Sequence, residues 1–162
     1  MLHISLAAEK IAQIGAKTFF ETYSEENIPE NMEKYIKKAF SLSIIKKELK
    51  DKNSIFFIAE EDKTIGYAKL NFNKKESEIE RLYVLKDYLG KGIGKKLMEK
   101  CVETSKKKAC TTIWVQVWGD KYNTGLRAIK FYKDWGFEKF GKRVFKLGDS
   151  EQEDILMKKN IT

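Results

Sequence analysis

The stretch "YLGKGIGKK", residues 88–96, decides how the chain is read. Three glycines fall in five positions, Gly90, Gly92 and Gly94, and apolar residues then recur at helical spacing. The run is not the G-x-x-x-x-G-K-[ST] of a P-loop, because no Ser or Thr follows Lys95. Nor is it the G-x-G-x-x-G of a dinucleotide fold, since its glycines are evenly spaced. Upstream, "SEIERLYVL" alternates as a strand. Downstream, Ile93, Leu97, Met98, Cys101, Val102 and Ser105 form one face of a helix running to about Lys108. A glycine loop between a strand and a helix N-terminus gathers backbone N–H donors at the positive end of the helix dipole, which suits phosphate. Glycines carry no Cβ, so an anion can approach the main chain closely, and Lys91 and Lys95 add attraction. A flexible loop beside a solvated, lysine-rich helix is the competing reading.

The rest of the chain supplies the frame. Residues 8–22 place Ile11, Ile14, Thr18 and Phe19 on one helical face. Pro29 opens a second helix with Met32, Tyr35, Ile36, Ala39 and Phe40 inward, and a short helix covers residues 44–49. "SIFFIAE" and "TIGYAKLNF", joined by "EDK", read as an antiparallel hairpin. "TTIWVQV" is apolar and β-branched enough to be a central strand, and "LRAIKFYKDW" is a helix stopped by Gly136. "GFEKFGKRVFKLG" and "DILMKKNI" add two more strands. Hairpins with one crossover predict an α/β class and a mixed, mostly antiparallel sheet of about seven strands flanked by helices.

At 162 residues the chain reads as a single domain, 1–162, with 42% hydrophobic residues and no apolar run of membrane-spanning length. Its start lacks a signal-peptide pattern, which predicts a cytoplasmic protein with no membrane partner. Two cysteines, Cys101 and Cys110, make no disulfide framework, and a single histidine, His3, leaves no metal site, Ser-His-Asp triad or Cys-His pair to expect. The net charge of +8 implies a polyanionic partner and is unevenly spread. Eight lysines lie between Lys86 and Lys108, around the glycine loop, whereas residues 21–33 carry five glutamates and no base.

"IERLYVLKDYLGKGIGKKLMEK" together with "RAIKFYKDWGF" resembles the acetyl-coenzyme A binding core of the GNAT superfamily of N-acetyltransferases. "TFFETYSEENIPENMEKYIKKAF", "FFIAEEDKTIGYAKLN" and "FKLGDSEQEDILMKK" extend the likeness to the bacterial PaiA-type spermidine/spermine N-acetyltransferases. The resemblance implies a sheet splayed between its fourth and fifth strands, with the pantetheine arm of acetyl-CoA inserted like an extra strand. Leu82, Tyr83 and Val84 match the segment whose backbone bonds that arm, because pantetheine amides pair with strand backbone as a peptide does. Leu89, Gly90, Lys91, Gly92, Ile93, Gly94 and Lys95 match the segment that wraps the pyrophosphate; relatives usually carry Gln or Arg where this chain has Leu89. Asn123 matches an asparagine that contacts the cofactor. The stretch from there to "RAI" is about two residues longer than in relatives, so Asn123 and Gly125 compete for that position. Tyr132 matches the tyrosine near the coenzyme sulfur that acts as general acid, whereas Phe131 and Trp135, four apart, read as core aromatics.

The attacking amine must also lose a proton, and with no usable histidine a carboxylate acting through water is expected. Glu78 and Glu80 alternate with Ile79 and so share a strand face, with Glu80 nearer the thioester; solvent-facing sheet residues are the other reading. An amide at Leu82 or Tyr83 would stabilise the oxyanion. The PaiA likeness implies a small amine or polyamine acceptor, and a polycation on a basic protein requires a local acidic wall. Glu25, Glu26 and Glu30 are the candidates, with Tyr23 and Tyr35 for the methylenes. Competing functions are acetylation of a protein lysine or α-amino group, and a non-enzymatic basic module. The last is disfavoured because no nucleic-acid motif is present and the lysines cluster where coenzyme phosphates would sit. A homodimer is compatible with the two sheet edges.

Overall fold

Alternation in the strands and helical spacing between them build three layers, a central sheet with helices on both faces. The computed structural model describes residues 2–118 and 126–162, with side chains from Leu6 onward. Three helices come first: α1 (Leu2–Tyr23), α2 (Pro29–Ala39) and α3 (Leu42–Leu49). Pro29 occupies the first turn of α2, and Ser41 caps α3 by accepting a hydrogen bond from the Ile44 N–H. Next come β1 (Ser54–Glu60), β2 (Thr64–Asn73), β3 (Glu76–Val84), α4 (Ile93–Lys107) and β4 (Thr112–Val117). The chain closes with α5 (Leu126–Asp134), β5 (Glu138–Leu147) and β6 (Ser150–Asn160).

The strands form one sheet in the order β1-β2-β3-β4-β6-β5. Only β3 and β4 run parallel, and α4 makes the crossover that a parallel pair needs. The mixed α/β class is as expected, and "TTIWVQV" is indeed an interior strand. Six strands form among the described residues, fewer than the seven or so anticipated. The alternating segments account for six, and the residues ahead of them are helical from Leu2, well before the expected start at residue 8. The final strand also begins earlier than expected, at Ser150, so β5 and β6 form a long hairpin.

Each face carries its own core. Under α4 and α5 lie Ile79, Met98, Cys101, Ile113, Val115 and Met157. Under α1 to α3 lie Ile11, Met32, Phe40, Ile45, Ile65 and Tyr67. Both cysteines are buried and free, and burial pushes the Cys101 thiol up to about 12. No helix among the described residues is long and apolar enough to cross a membrane.

One irregularity in β3 lies where its ladder to β4 ends. Its register with β2 passes from Lys69↔Arg81 to Leu70↔Ile79, so Glu80 is the extra residue of a β-bulge. Ser77 and Ile79 face α4 before the bulge, and Leu82 and Val84 face it afterwards. A bulge bends its strand and sharpens the local twist. The ladder to β4 runs from Glu76↔Thr112 to Ile79↔Val115 and ends there, one residue short of Glu80.

Helix α1 reaches this region because Gly15 lets it lie close. A Cβ at Gly15 would stand 2.5 Å from the Phe40 ring and 3.1 Å from the Tyr67 hydroxyl. Phe40 has little room to yield, with Arg81 over its ring and Phe19 beside it. Alanine would gain roughly 1 kcal/mol of helix propensity and lose about 1–3 kcal/mol to overpacking. Gly15→Ala is therefore expected to lower stability by about 1 kcal/mol in urea unfolding, and a net gain would mean the Phe40 contact is soft.

Candidate active site

The glycine loop takes its shape from backbone angles that glycine alone adopts without strain. Gly90 and Gly92 have φ of 79° and 82°, in the left-handed region. A Cβ built on either meets nothing within 4 Å, so the space before the loop is open. A 3-10 turn, Lys86–Tyr88, leads in, and the Lys86 N–H donates to Glu21 Oε2 at 2.9 Å, tying the loop to α1. Helix α4 then starts without a side-chain cap. The Lys96 N–H donates to the Gly92 carbonyl at 3.1 Å. The amides of Ile93, Gly94 and Lys95, one turn earlier, point past the helix end with no acceptor among the described residues. Three aligned donors at a dipole's positive end form an anion cradle, and their chemistry fits a diphosphate. Lys91 sits over the Tyr88 ring at 4.9 Å, and exposed Lys95 stands at the rim.

A cavity of about 430 Å³ runs from this cradle into the gap between β3 and β4. Leu82, Tyr83 and Val84 form one wall; Val115, Gln116 and Val117 form the other. Leu89, Gly90, Gly92, Gly94 and Lys95 border its mouth, whereas Ile93 packs between the two cores and Lys91 stays on the outer side. Asn123 and Gly125 lie outside the described residues. Arg127, at the start of α5, also reaches the cavity and escaped the sequence reading; a lone arginine on a helix carries no signal of its own.

Tyr132 lines the same cavity, 6% exposed, held edge-on by Phe131 and Phe137 at ring centroid distances of 5.3 Å each. Burial, with lesser contributions from Tyr83 and Cys101, pushes its phenol well above the ordinary value. Its hydroxyl therefore stays protonated across the physiological range, as a proton donor must.

Glu80 reaches the cavity from the bulge, while Glu78 turns toward a second cleft beside Trp114 and Arg143. The Glu78 carboxyl is raised by burial and accepts a hydrogen bond from Asn71. Glu80 is braced by a charge network. Lys69 Nζ lies 2.5 Å from Glu80 and 3.4 Å from Glu48, and Arg81 makes two bonds to Glu48 at 2.9 and 3.1 Å. Lys69 and Arg81 side chains are 7% and 12% exposed, so each needs its carboxylates. The sequence shows these four charges but not that α3 brings Glu48 to them.

The far end of the cavity is aromatic. Tyr23 and Tyr83 share a 2.8 Å hydroxyl contact, Tyr23 lies 4.4 Å from the Trp118 ring, and all three line the space. Buried Asp154 on β6 accepts a 2.8 Å hydrogen bond from Gln116. Of the three predicted acceptor glutamates, Glu25 is exposed, and Glu30 is exposed and paired with Lys34 at 3.4 Å. Glu26 is half-buried against the Trp118 indole N–H, and burial raises its carboxyl. No described residue places a metal-binding group of three or more His, Cys, Asp or Glu side chains together.

Comparison with known proteins agrees with this geometry. The sequence profile of the Acetyltransferase (GNAT) family matches residues 9–137. An N-acetyltransferase of Lactobacillus delbrueckii subsp. lactis is 32% identical over 157 residues, covering 91% of this chain and 88% of the relative. An N-acetyltransferase of Mycobacterium bovis is 27% identical, covering 95% and 97%. Among solved structures, the PaiA N-acetyltransferase of Thermoplasma acidophilum in complex with coenzyme A superposes with a TM-score of 0.73 at 23% identity, covering 94% of this chain and 92% of that one. The ribosomal-protein-S18-alanine N-acetyltransferase of Escherichia coli gives 0.63 at 21% identity, covering 75% and 77%.

The charge network makes a checkable demand on stability. Glu48→Gln removes the carboxylate shared by two buried cations and is expected to cost roughly 3 kcal/mol in urea unfolding. A loss under about 0.5 kcal/mol would show that solvent already screens both cations.

Proposed function

Because the chain belongs to the acetyltransferase (GNAT) family and is an acetyl-CoA-dependent N-acetyltransferase, we propose that it transfers the acetyl group directly to a primary amine of a polyamine such as spermidine or spermine. The observation that carries this reading is one continuous cavity that joins the α4 amide cradle, the opened β3–β4 gap and Tyr132. The cradle amides of residues 93–95 would hold the pyrophosphate, with Lys95 and Arg127 at the rim. Leu89 contributes main chain only. Beyond Ile79 the register of β3 with β4 stops, which supports a splay that receives the pantetheine amides along Leu82, Tyr83 and Val84.

When bound, the thioester supplies the activated acyl group; the chain supplies orientation and proton transfer. Amine attack closes the new C–N bond and breaks the C–S bond, and Tyr132 protonates the departing thiolate. Glu80, through a water, takes the proton the amine sheds, and an amide at Leu82 or Tyr83 stabilises the oxyanion. Lys69 holds Glu80 in place for that task. The whole chain acts as one catalytic domain in the cytoplasm, and the exposed edge strand β5 is where a second copy would pair.

A peptide amine is the rival acceptor, and the PaiA likeness together with the aromatic end of the cavity, lined by Tyr23, Tyr83 and Trp118, favours the polyamine. Steady-state kinetics with spermidine, lysine-bearing peptides and aminoglycosides discriminate: spermidine is expected to have the highest kcat/KM, and indifference to it would end the polyamine reading. Tyr132→Phe should reduce kcat by about 10²-fold or more while leaving coenzyme A affinity unchanged; normal turnover would remove Tyr132 from the mechanism. In Gly94→Ala the added Cβ stands 3.7 Å from the Phe131 ring, an ordinary contact, so the fold should persist. Its methyl sits among the cradle donors, and coenzyme A binding should weaken about tenfold or more by calorimetry; unchanged affinity would place the phosphates elsewhere.

A further inference from the structure

A second cleft, of about 310 Å³, shares no lining residue with the active-site cavity and has no assigned task. The register across the sheet builds its floor. Asn71 pairs with Glu78, Glu78 with Trp114 and Trp114 with Lys158, so these side chains share one face of β2, β3, β4 and β6. Ile113 and Val115, on either side of Trp114, enter the core under α4; Trp114 faces the opposite way and joins neither core. A bulge in β5 adds the outer wall. Its register with β6 passes from Lys139↔Met157 to Gly141↔Leu156, and the extra residue, Phe140, stands 47% exposed on the cleft.

Charge is sorted across this space. Glu76 and Glu78 line it from β3, whereas Lys158 and Arg143 line it from β6 and β5. Strand β4 lies between β3 and β6, so two strand spacings, roughly 10 Å, separate the acids from the bases. None of these charges makes an ion pair among the described residues. The cations rest on rings instead: the Arg143 guanidinium lies 5.4 Å from the Trp114 ring centroid and the Lys158 ammonium 5.0 Å from that of Phe140. Glu78 is half-buried, accepts a 3.4 Å hydrogen bond from Asn71 Nδ2, and has its carboxyl raised by burial.

Opposite charges that face each other without closing the gap are complemented by a molecule that carries both. A polyamine would meet Arg143 and Lys158 here, and a phosphate would meet Glu76 and Glu78, so the cleft repels both the acceptor and the coenzyme proposed for the active site. An ammonium and a carboxylate one carbon apart, each with a hydrogen bond to the wall it faces, span a gap of this order.

We propose that the cleft binds a free α-amino acid, with its ammonium on Glu78, its carboxylate on Arg143 and Lys158, and its side chain against Trp114 and Phe140. The guanidinium fork grips a carboxylate through parallel hydrogen bonds, and the Trp114 ring beneath it holds the fork in place. The site stands independently of which amine the enzyme acetylates.

Calorimetric titration of the common L-amino acids, one by one, into the coenzyme A-bound protein tests it; with no acetyl donor present, transfer does not consume the ligand. At least one is expected to bind with a Kd of about 10 mM or tighter. Its methyl ester and its N-acetyl derivative, each lacking one charge, are expected to bind at least about tenfold more weakly. Arg143→Ala and Glu78→Gln should each weaken the amino acid to the same extent. Arg143 is exposed, so its variant folds, and it should keep coenzyme A affinity and acetyl transfer within about twofold of wild type. No amino acid binding at that level, or an ester and N-acetyl derivative that bind equally well, overturns the proposal. So does undiminished binding in Arg143→Ala, which would place the amino acid in the acceptor site instead.

Discussion

The structure depends on β3 giving up its partner. Strand pairing satisfies backbone groups inside a protein, and a central strand that abandons its neighbour must have a reason. Here the bulge at Glu80 bends β3 where its ladder to β4 ends, and the main chain beyond it faces a cavity instead of a strand. That edge is where the pantetheine arm is proposed to pair, with the diphosphate at the start of α4. The two features are mechanically linked, because β3 runs directly into the loop that builds the cradle.

A charge network restrains the bulge. Lys69 lies opposite the irregularity, bonded to the bulged residue itself and to Glu48, and Arg81 holds Glu48 from the next position. With these side chains mostly buried, each charge is tolerated only because opposite charges surround it. The same four residues thus fix the strand's path and the position of the carboxylate proposed as base. Stability and chemistry are coupled at this point, whereas on the α4 side the core of Ile79, Met98, Ile113 and Met157 carries no such constraint.

Much of this was legible in the sequence, for reasons that differ by element. The glycine loop announced itself because positive φ at Gly90 and Gly92 restricts the residue type, and the spacing to Ile93 and Leu97 marked the helix it caps. Interior β4 was readable from its apolar, β-branched run. The bulge was not, since "SEIERLYVL" alternates as if regular and the extra residue shows only through pairing with β2. The acidic cluster proposed for the acceptor was the least legible. Proximity along the chain suggested Glu25, Glu26 and Glu30 together, but Glu25 and Glu30 are exposed and only Glu26 is half-buried, against Trp118.

Calorimetry of coenzyme A against pantetheine with the wild-type protein tests the α4 cradle most directly. If the α4 amides grip the diphosphate while β3 receives the arm, coenzyme A binds with a large exothermic signal and pantetheine at least tenfold more weakly, the difference shrinking as salt is raised. Equal affinity for the two, or no heat with coenzyme A at all, contradicts it.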